Sequence, residues 1–242
     1  MSTKKLTIPK QLTSPETEWK AEGAAFSGST DMSFGPLELV CHTLMSLISL
    51  SIELSEDGVG VSQAIQSSIA RQLALDIDLV VLAGAGGLAP TGIINTTGIL
   101  LEEATFPLTD YSSFSSAFTK IENVNGTPGA LVMSSDLFGV LDKLVSATEL
   151  QPLLPPESWK SYKHLSSNQL VSSGILGDFS QAVLGVRTTM NLALGDLSGK
   201  VESSRTANDA FSKLLIFVRS YLRADVGIKI PEFFCHIKEE VV

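Results

Sequence analysis

The sequence predicts an α+β fold in which one long helix is accompanied by many short strands. Apolar residues recur every fourth position from residue 61 to residue 81, and no Gly or Pro interrupts residues 62–83. At 1.5 Å per residue this pattern predicts a helix of about 33 Å. Two other stretches, 37–54 and 215–230, are apolar and partly alternating, which is typical of strands. Separate helix and strand patterns in one chain define the mixed class.

The composition is that of a folded protein with few charges. The chain has 242 residues, of which 44% are hydrophobic and 18% charged, and its formal net charge is -9. This length permits one large domain or two small lobes with real cores. Because Lys and Arg supply most of the affinity for phosphate backbones, the acidic balance argues against a dedicated nucleic-acid binder. With no long apolar run and no signal-peptide core, a soluble cytoplasmic protein is expected.

The first 35 residues differ in composition from the rest of the chain. They are rich in Thr, Ser, Lys, Gly and Pro. Such a segment is predicted to be an extended arm that needs another surface to lie on. Its sparse apolar anchors are Leu12, Trp19, Phe26 and Phe34.

Turn residues separate the elements that follow the long helix. Gly84 suits a left-handed C-cap, and Pro90 prevents the helix from continuing. A shorter amphipathic helix is predicted at 112–124 and a strand at 130–133. Residues 174–197 are punctuated by glycine, which predicts short strands joined by tight turns.

The last predicted elements are a capped helix and a long strand. The cluster Ser134-Ser135-Asp136 is predicted to cap a third helix. The strand at 215–230 is predicted to have one apolar and one solvent-exposed face. Its exposed face is expected to carry Arg219, Tyr221, Arg223 and Asp225.

Several short motifs follow one another in a set order along the chain. WKAEG (19–23) lies in the arm, the long helix closes as DIDLVVLAGAG (76–86), and PTGI (90–93) comes next. Downstream are LVMS (131–134), before a helix, and RSYLRADVGIKIPEFF (219–234) near the end. In order and spacing these motifs resemble the major capsid protein family of tailed bacteriophages, which has the Hong Kong 97 fold. Each motif alone is unspecific, so the resemblance depends on their order.

The resemblance implies a two-lobed subunit with a long spine helix, a P domain, an A domain, an N-terminal arm and a short E-loop. Residues 1–35 are expected to form the arm and E-loop region. The P domain is expected at 36–121, with the spine helix at 62–83. The A domain is expected at 122–205, and the P-domain closing strand and C terminus at 206–242.

Two departures from the family pattern affect what the resemblance implies. The span between Glu22 and the strand before the helix is short, so the E-loop, a β-hairpin that overlaps neighbouring subunits, is expected to be small or trimmed. The chain also opens directly on the arm, whereas many relatives first carry a scaffolding region that a protease removes. Either a separate scaffold or a start at the mature terminus is therefore expected.

The function implied by the resemblance is structural, not enzymatic. The chain is expected to be a subunit of an icosahedral phage or prophage shell, assembling through pentamers and hexamers in the bacterial host cytoplasm and residing in the virion. The further partners expected are a scaffolding protein, a portal and a maturation protease. Double-stranded DNA is expected to be enclosed without specific binding, and no membrane contact, cofactor or metal is expected. An encapsulin-like nanocompartment shell and an unrecognised hydrolase are the alternatives.

Four residues are predicted to lie at contacts between subunits. Trp19 is a large aromatic in a polar arm, which is typical of an anchor in a partner's pocket, although arms also dock on their own subunit. Arg219 and Arg223, with Lys229, form a predicted basic strand face that is solvated or ion-paired. An acidic residue of a neighbour, such as Glu22, is the candidate partner of this face.

Three features mimic catalytic or ligand sites. Gly84–Ala89 resembles a dinucleotide-binding loop, but it follows a helix and not the strand that such a loop requires. Cys41-His42 and Cys235-His236 each place neighbouring side chains on opposite faces of a strand, which disfavours chelation of one metal ion. Asp76 and Asp78 face different ways on a helix, which disfavours paired acid-base chemistry.

The other candidate groups are also better explained as surface residues. Glu53, Glu56 and Asp57 precede the long helix and are predicted to be solvated charges. A Ser-His-Asp hydrolase is disfavoured because no G-x-S-x-G motif is present. His164 has no cysteine near it in sequence and is expected at the surface.

Overall fold

The chain folds into two compact units, each built from separate segments. A computed structural model describes residues 1, 3–13, 17–23, 32–51, 53–54, 60–145, 151–195 and 215–240. Unit 1 comprises Met1–Lys4, Cys41–Asn95 and Leu184–Asp225. Unit 2 comprises Lys5–Val40, Thr96–Val183 and Val226–Val242. Both units therefore form only when distant segments of the chain come together.

The described residues contain ten strands and three α-helices. The helices are α1 (Val61–Ala83), α2 (Ser112–Asn123) and α3 (Ser135–Leu141). The strands are β1 (Lys5–Gln11), β2 (Phe34–Val40), β3 (His42–Ser51), β4 (Leu100–Ala104), β5 (Ala130–Ser134), β6 (Lys163–Ser167), β7 (Ser173–Gly177), β8 (Ala182–Gly195), β9 (Leu215–Ile228) and β10 (Phe234–Glu239). None of the described helices is long and apolar enough to cross a membrane. The predicted residues Phe26, Glu56 and Asp57 lie outside the described part of the chain.

Unit 1 packs α1 against one face of a β-sheet. Among the described residues, β3, β9 and β8 are neighbours in that order, and β3 runs antiparallel to β9. The buried Ile69 and Leu73 of α1 meet Val218 of β9. Half-buried side chains complete this cluster: Leu44, Ile48, Leu50 and Ile65. The long helix and its core-facing stripe are thus confirmed, since the period of four places these residues on one side.

The end of α1 departs from the prediction in backbone geometry. Gly84 has φ -55° and ψ 132°, so the left-handed C-cap predicted at this residue is wrong. Glycine is needed there for space, because a Cβ on Gly84 would lie 2.3 Å from Pro90 O. A Cβ on Gly92 would likewise lie 2.3 Å from Gly84 N. The left-handed residues of this turn are Gly86 and Gly87, each with φ 80°.

The loop 84–95 is fastened to the end of α1 by hydrogen bonds. Ile93 N donates to Val81 O at 2.8 Å, and Asn95 Nδ2 donates to Gly84 O at 2.9 Å. These donors satisfy carbonyl groups that a helix end otherwise leaves without partners. The glycines of the supposed dinucleotide loop therefore let the chain fold back tightly on its own helix.

Unit 2 is built on a sheet with the strand order β4-β10-β7-β5-β6 among the described residues. β10 pairs parallel with β4 and antiparallel with β7, and β5 pairs parallel with β6. The helix α2 lies on this sheet, with its buried Phe114 and Ile121 in one cluster with Leu131, Leu176 and Ile237 of the strands. This cluster is the core of unit 2.

The second helix and the strand-to-helix step agree with the sequence analysis. The helix predicted at 112–124 ends at Asn123, and the strand predicted at 130–133 includes one further residue. Ser134 Oγ accepts a hydrogen bond from Leu137 N at 3.3 Å and so caps α3. The predicted cap cluster is confirmed with Ser134 as the N-cap.

A β-hairpin occupies part of the segment expected to be an arm. β1 pairs antiparallel with β2, and Lys5 Nζ lies 2.7 Å from Glu38 Oε2. The sequence analysis predicts an extended arm over the first 35 residues and no strand at 5–11. In the hairpin Pro9 lies opposite Pro36, and the hydrogen bonds of the pairs Lys4–Cys41 and Leu12–Ser33 make this a non-hydrogen-bonded pair, where no backbone N–H is needed. Proline is therefore tolerated at both positions.

The last long strands also differ from expectation. β8 is one strand, Ala182–Gly195, and not part of a set of short strands. Asp225 is buried, so the predicted solvent-exposed face of β9 does not extend to this residue. At Gly227, in the part of β9 that belongs to unit 2, the Leu39 side chain of β2 lies 2.6 Å from where a Cβ would be. Alternation in sequence cannot reveal such a cover from a distant hairpin.

Candidate functional site

The hairpin of β1 and β2 presents Trp19 to solvent. The exposed fraction of Trp19 is 101%, so no described residue of its own chain covers it. The assignment of Trp19 to a subunit contact stays a prediction. A tryptophan in this state leaves up to about 250 Å² of mostly apolar surface in water. It contributes nothing to the core of either unit.

Further apolar side chains lie where the strands enter this tip. Leu12 and Phe34 are each more than half exposed, and Leu12 lies over Gly35. Leu12 N donates to Ser33 O at 2.9 Å, which extends the hairpin beyond β1. The described residues between β1 and β2 are 12–13, 17–23 and 32–33, here called the hairpin tip. They include two carboxylates, Glu18 and Glu22, and one lysine, Lys20. The hairpin tip thus combines exposed apolar groups with negative charge.

The face of the unit 1 sheet opposite α1 is a second exposed surface. Directly opposed residues of antiparallel strands lie on the same face. The exposed alternation of β3 and its pairing with β9 define this surface, here called the outer sheet face. It includes four pairs: Thr43 with Arg223, Met45 with Tyr221, Leu47 with Arg219, and Ser49 with Phe217.

Two of the predicted contact residues, Arg219 and Arg223, lie on the outer sheet face. Arg219 is exposed, and its guanidinium carbon is 5.9 Å from the centre of the Tyr221 ring, a cation–π distance. Arg223 is half-buried, and its Nε has no hydrogen-bond partner among the described residues. An unpaired buried donor costs free energy. The face is both apolar and cationic.

The other charged residues of the prediction lie elsewhere. Glu22 is exposed in the hairpin tip, which belongs to unit 2, whereas Arg219 and Arg223 belong to unit 1. Lys229 lies beyond the end of β9, and its backbone N–H donates to Gln181 O at 3.0 Å. Lys229 is therefore not part of the outer sheet face. The assignment of Glu22, Arg219 and Arg223 to subunit contacts stays a prediction.

The two Cys-His pairs have separate surroundings. Cys41 is buried, and His42 Nδ1 lies 3.0 Å from Leu88 O. Cys235 is in the core of unit 2, where burial raises the pKa of its thiol to about 12. Burial lowers the pKa of His236, and Lys238 adds to this effect. Within the described residues, no group of three or more His, Cys, Asp or Glu side chains is arranged to hold a metal ion.

His164 is not the surface residue that the sequence analysis predicts. Its ring stacks on Trp159 at 4.3 Å and lies 5.1 Å from the ring of Tyr162. Burial lowers the pKa of His164, against a hydrogen bond to the backbone of Trp159 that raises it. The short 3-10 turn Glu157–Ser161 brings Trp159 under β6, a contact that no periodic pattern indicates.

A groove of about 220 Å³ opens on unit 2 beside this aromatic cluster. Its walls include Phe138, Leu144, Leu153 and Trp159, and Asp142 is the only charged residue among the described ones that line it. Tyr111, also in the wall, donates its hydroxyl to Leu141 O at 3.4 Å. Sequence analysis does not detect this groove, because its walls come from three separated segments.

Comparison with known proteins shows the family of the chain. The model of the phage capsid family matches residues 1–238, and the chain therefore belongs to this family. It is a structural subunit of a capsid shell, as the sequence analysis predicts, and the encapsulin alternative is not favoured. No curated protein matches the chain.

Solved structures share the fold over nearly the whole chain. A protein of Mycobacterium phage Ogopogo is 18% identical with a TM-score of 0.76, and the match covers 98% of this chain and 87% of that one. A protein of Mycobacterium phage Adephagia is 14% identical with a TM-score of 0.79, and the match covers 100% of this chain and 87% of that one. A chain from the capsid of an empty GTA particle computed with C5 symmetry is 17% identical with a TM-score of 0.75, and the match covers 100% of this chain and 86% of that one. The predicted α+β capsid fold is thus confirmed.

Proposed function

We propose that copies of this chain assemble into pentamers and hexamers, which close an icosahedral phage or prophage shell. Family membership supports a shell of many copies. The likeness to a capsid computed with C5 symmetry supports assembly about a five-fold axis. The observation that carries the proposal is the complete exposure of Trp19 on a hairpin of an otherwise folded chain. A fully exposed tryptophan of this kind stabilises a contact only when a partner covers it.

The proposed contact joins the hairpin tip of one copy to the outer sheet face of another. The tip is acidic, and the face carries Arg219 and Arg223, so the charges are complementary. A carboxylate such as that of Glu22 is a suitable acceptor for the exposed guanidinium of Arg219. Trp19 and the exposed Met45 provide apolar surface on the two sides. The proposed contact therefore buries apolar surface and also pairs opposite charges.

In the family's terms, the hairpin Lys5–Val40 is proposed to be the E-loop. Its two paired strands, β1 and β2, make it larger than the small or trimmed E-loop that the resemblance implies. The expected arm is then one side of the same hairpin. The division into a P domain at 36–121, an A domain at 122–205 and a closing segment at 206–242 stays a proposal.

The wider setting of the shell is also a proposal. The chain is a structural protein without catalytic activity, which assembles in the bacterial host cytoplasm and ends in the virion. Its further partners are a scaffolding protein, a portal and a maturation protease. The formal charge of -9 allows the shell to enclose double-stranded DNA without binding it.

The Trp19→Ala variant should fold normally and assemble poorly. Since Trp19 is fully exposed in the subunit, its removal should leave the melting temperature of the disassembled chain unchanged. Loss of an aromatic anchor typically costs about 2 kcal/mol or more of binding free energy. Thermal denaturation of the subunit and shell yield by sedimentation velocity measure the two effects separately.

The conservative variant Trp19→Phe is the matched control. It keeps an aromatic anchor and should retain most of the shell yield. A lower melting temperature for Trp19→Ala with normal assembly would overturn the proposed anchor. Equal shell yields for the wild type and Trp19→Ala would do the same.

A further inference from the structure

The groove of unit 2 combines a carboxylate with aromatic walls. Of the described residues that line it, Asp142 alone carries a charge, and the lining includes the rings of Tyr111, Phe138 and Trp159. Tyr111 and Trp159 meet at 68° with their ring centres 5.1 Å apart, an edge-to-face contact that holds the two rings against each other. The groove therefore offers a negative charge next to ordered aromatic surface.

The Asp142 carboxylate has no cationic partner in the described part of the chain. Asp142 is the C-cap of α3 and is exposed. The ion pairs among the described residues use the carboxylates of Glu38, Glu102, Glu103 and Glu157. Lys160, the residue after Trp159, is held 2.8 Å from Glu157. A cation that enters the groove thus meets a carboxylate that no described lysine or arginine pairs with.

The charge of Asp142 also reaches the tyrosine in the groove wall. Burial raises the pKa of Tyr111, and the negative charge of Asp142 raises it further. The Tyr111 hydroxyl donates to Leu141 O at 3.4 Å, and its oxygen keeps lone pairs with which to accept. The groove therefore provides two acceptors for an ammonium group, the Asp142 carboxylate and Tyr111 Oη.

Volume and charge together define the class of ligand. An apolar cavity of about 150 Å³ already holds benzene, and the groove measures about 220 Å³. One carboxylate is too few ligands for a metal ion such as Ca²⁺, which takes six to eight oxygens. An anion would be repelled by Asp142, and a neutral molecule would take water from the carboxylate without replacing its charged partner. A small organic cation fits both conditions.

We propose that the groove binds a small primary amine, with its ammonium group on the Asp142 carboxylate and its apolar body against the aromatic walls. The ammonium donates charge-assisted hydrogen bonds to Asp142 and Tyr111 Oη, and aromatic rings attract cations as well as apolar groups. The lining residues lie within Thr96–Val183 of unit 2, so the single subunit contains the described site. Because the carboxylate is exposed, a dissociation constant on the order of 1 mM is expected.

Phenethylamine is the probe, and 2-phenylethanol is its uncharged counterpart. In the Trp19→Phe chain Trp159 is the only tryptophan left, so its fluorescence reports on the groove. At pH 7 the protonated amine should change this fluorescence in a saturable way. The alcohol should bind about threefold to tenfold more weakly, because it cannot form the ion pair. Phenylacetate, which carries the opposite charge, should bind more weakly still.

Asp142→Asn tests the carboxylate, with Asp136→Asn as the matched control. Asp136 is exposed on the same helix and does not line the groove. Asp142→Asn should lower the affinity for phenethylamine to that for the alcohol, and leave the affinity for the alcohol and the melting curve unchanged. Asp136→Asn should bind the amine as its parent chain does. Fluorescence titrations of the three chains, each with Trp19→Phe, measure these affinities.

Four results would overturn the proposed amine site. They are no saturable binding of the amine, equal affinities for the amine and the alcohol, an unchanged affinity for the amine in Asp142→Asn, and an equal loss in Asp136→Asn. The comparison of the amine with the alcohol needs no change at Asp142, so it decides the question even if Asp142→Asn fails to fold. Each of these results is independent of whether copies of the chain assemble.

Discussion

Replacement of Ile69 by Asp should abolish soluble, folded protein. Ile69 is buried between α1 and the sheet of unit 1, in contact with the cluster that contains Leu73 and Val218. A carboxylate there has no cationic partner in the cluster, and the cavity and desolvation terms together cost several kcal/mol, about 3–5. Because folded proteins are stable by only about 5–15 kcal/mol, most of the native population should be lost.

Soluble yield and thermal denaturation by circular dichroism measure this effect. Ser68→Asp is the matched control, since Ser68 is the preceding residue on the same helix and is exposed. Its free energy of unfolding should change by no more than about 0.5 kcal/mol. A melting temperature for Ile69→Asp equal to that of the wild type would mean that another face of α1 is buried.

Gly92→Ala should be nearly as damaging, for a steric reason. A Cβ on Gly92 would lie 2.3 Å from Gly84 N and 2.7 Å from Val80 O, and both are backbone atoms. Backbone at the end of α1 cannot move aside without losing the hydrogen bonds that fasten the 84–95 loop. We expect a loss of several kcal/mol in the free energy of unfolding, about 3 or more.

Urea denaturation compares this variant with Gly139→Ala. Gly139 lies in α3, and a Cβ there meets nothing within 4 Å. Alanine in a helix is favoured over glycine, so Gly139→Ala should gain about 0.5–1 kcal/mol. If Gly92→Ala unfolds at the same urea concentration as the wild type, the backbone at Gly92 does not pass as close to Gly84 as described here.

Local sequence patterns predicted the elements whose buried residues recur at a regular spacing along the chain. The stripe through Ile69 and Leu73 identified α1, and the hydroxyl of Ser134 identified the start of α3. Such elements are encoded by neighbours in sequence. β1 was not predicted, because its strand conformation depends on pairing with β2, more than twenty residues away.

The candidate surfaces were predictable only in part. Trp19 stood out because it has few apolar neighbours in sequence, and its full exposure agrees with that argument. Arg219 and Arg223 were placed on one face by alternation, but the exposed Met45 beside them comes from the pairing with β3. The groove near Leu154 left no signal in sequence, since its walls meet only in the folded chain.

Sedimentation velocity of the wild-type chain, with negative-stain microscopy of the same sample, tests assembly most directly. If the chain builds a shell through its exposed surfaces, the fraction in pentamers, hexamers or closed particles should rise with protein concentration, because association follows mass action. Addition of a scaffolding partner, if one is needed, should increase it further. A chain that is well folded by circular dichroism yet strictly monomeric at all concentrations and salts, with and without that partner, would contradict this account.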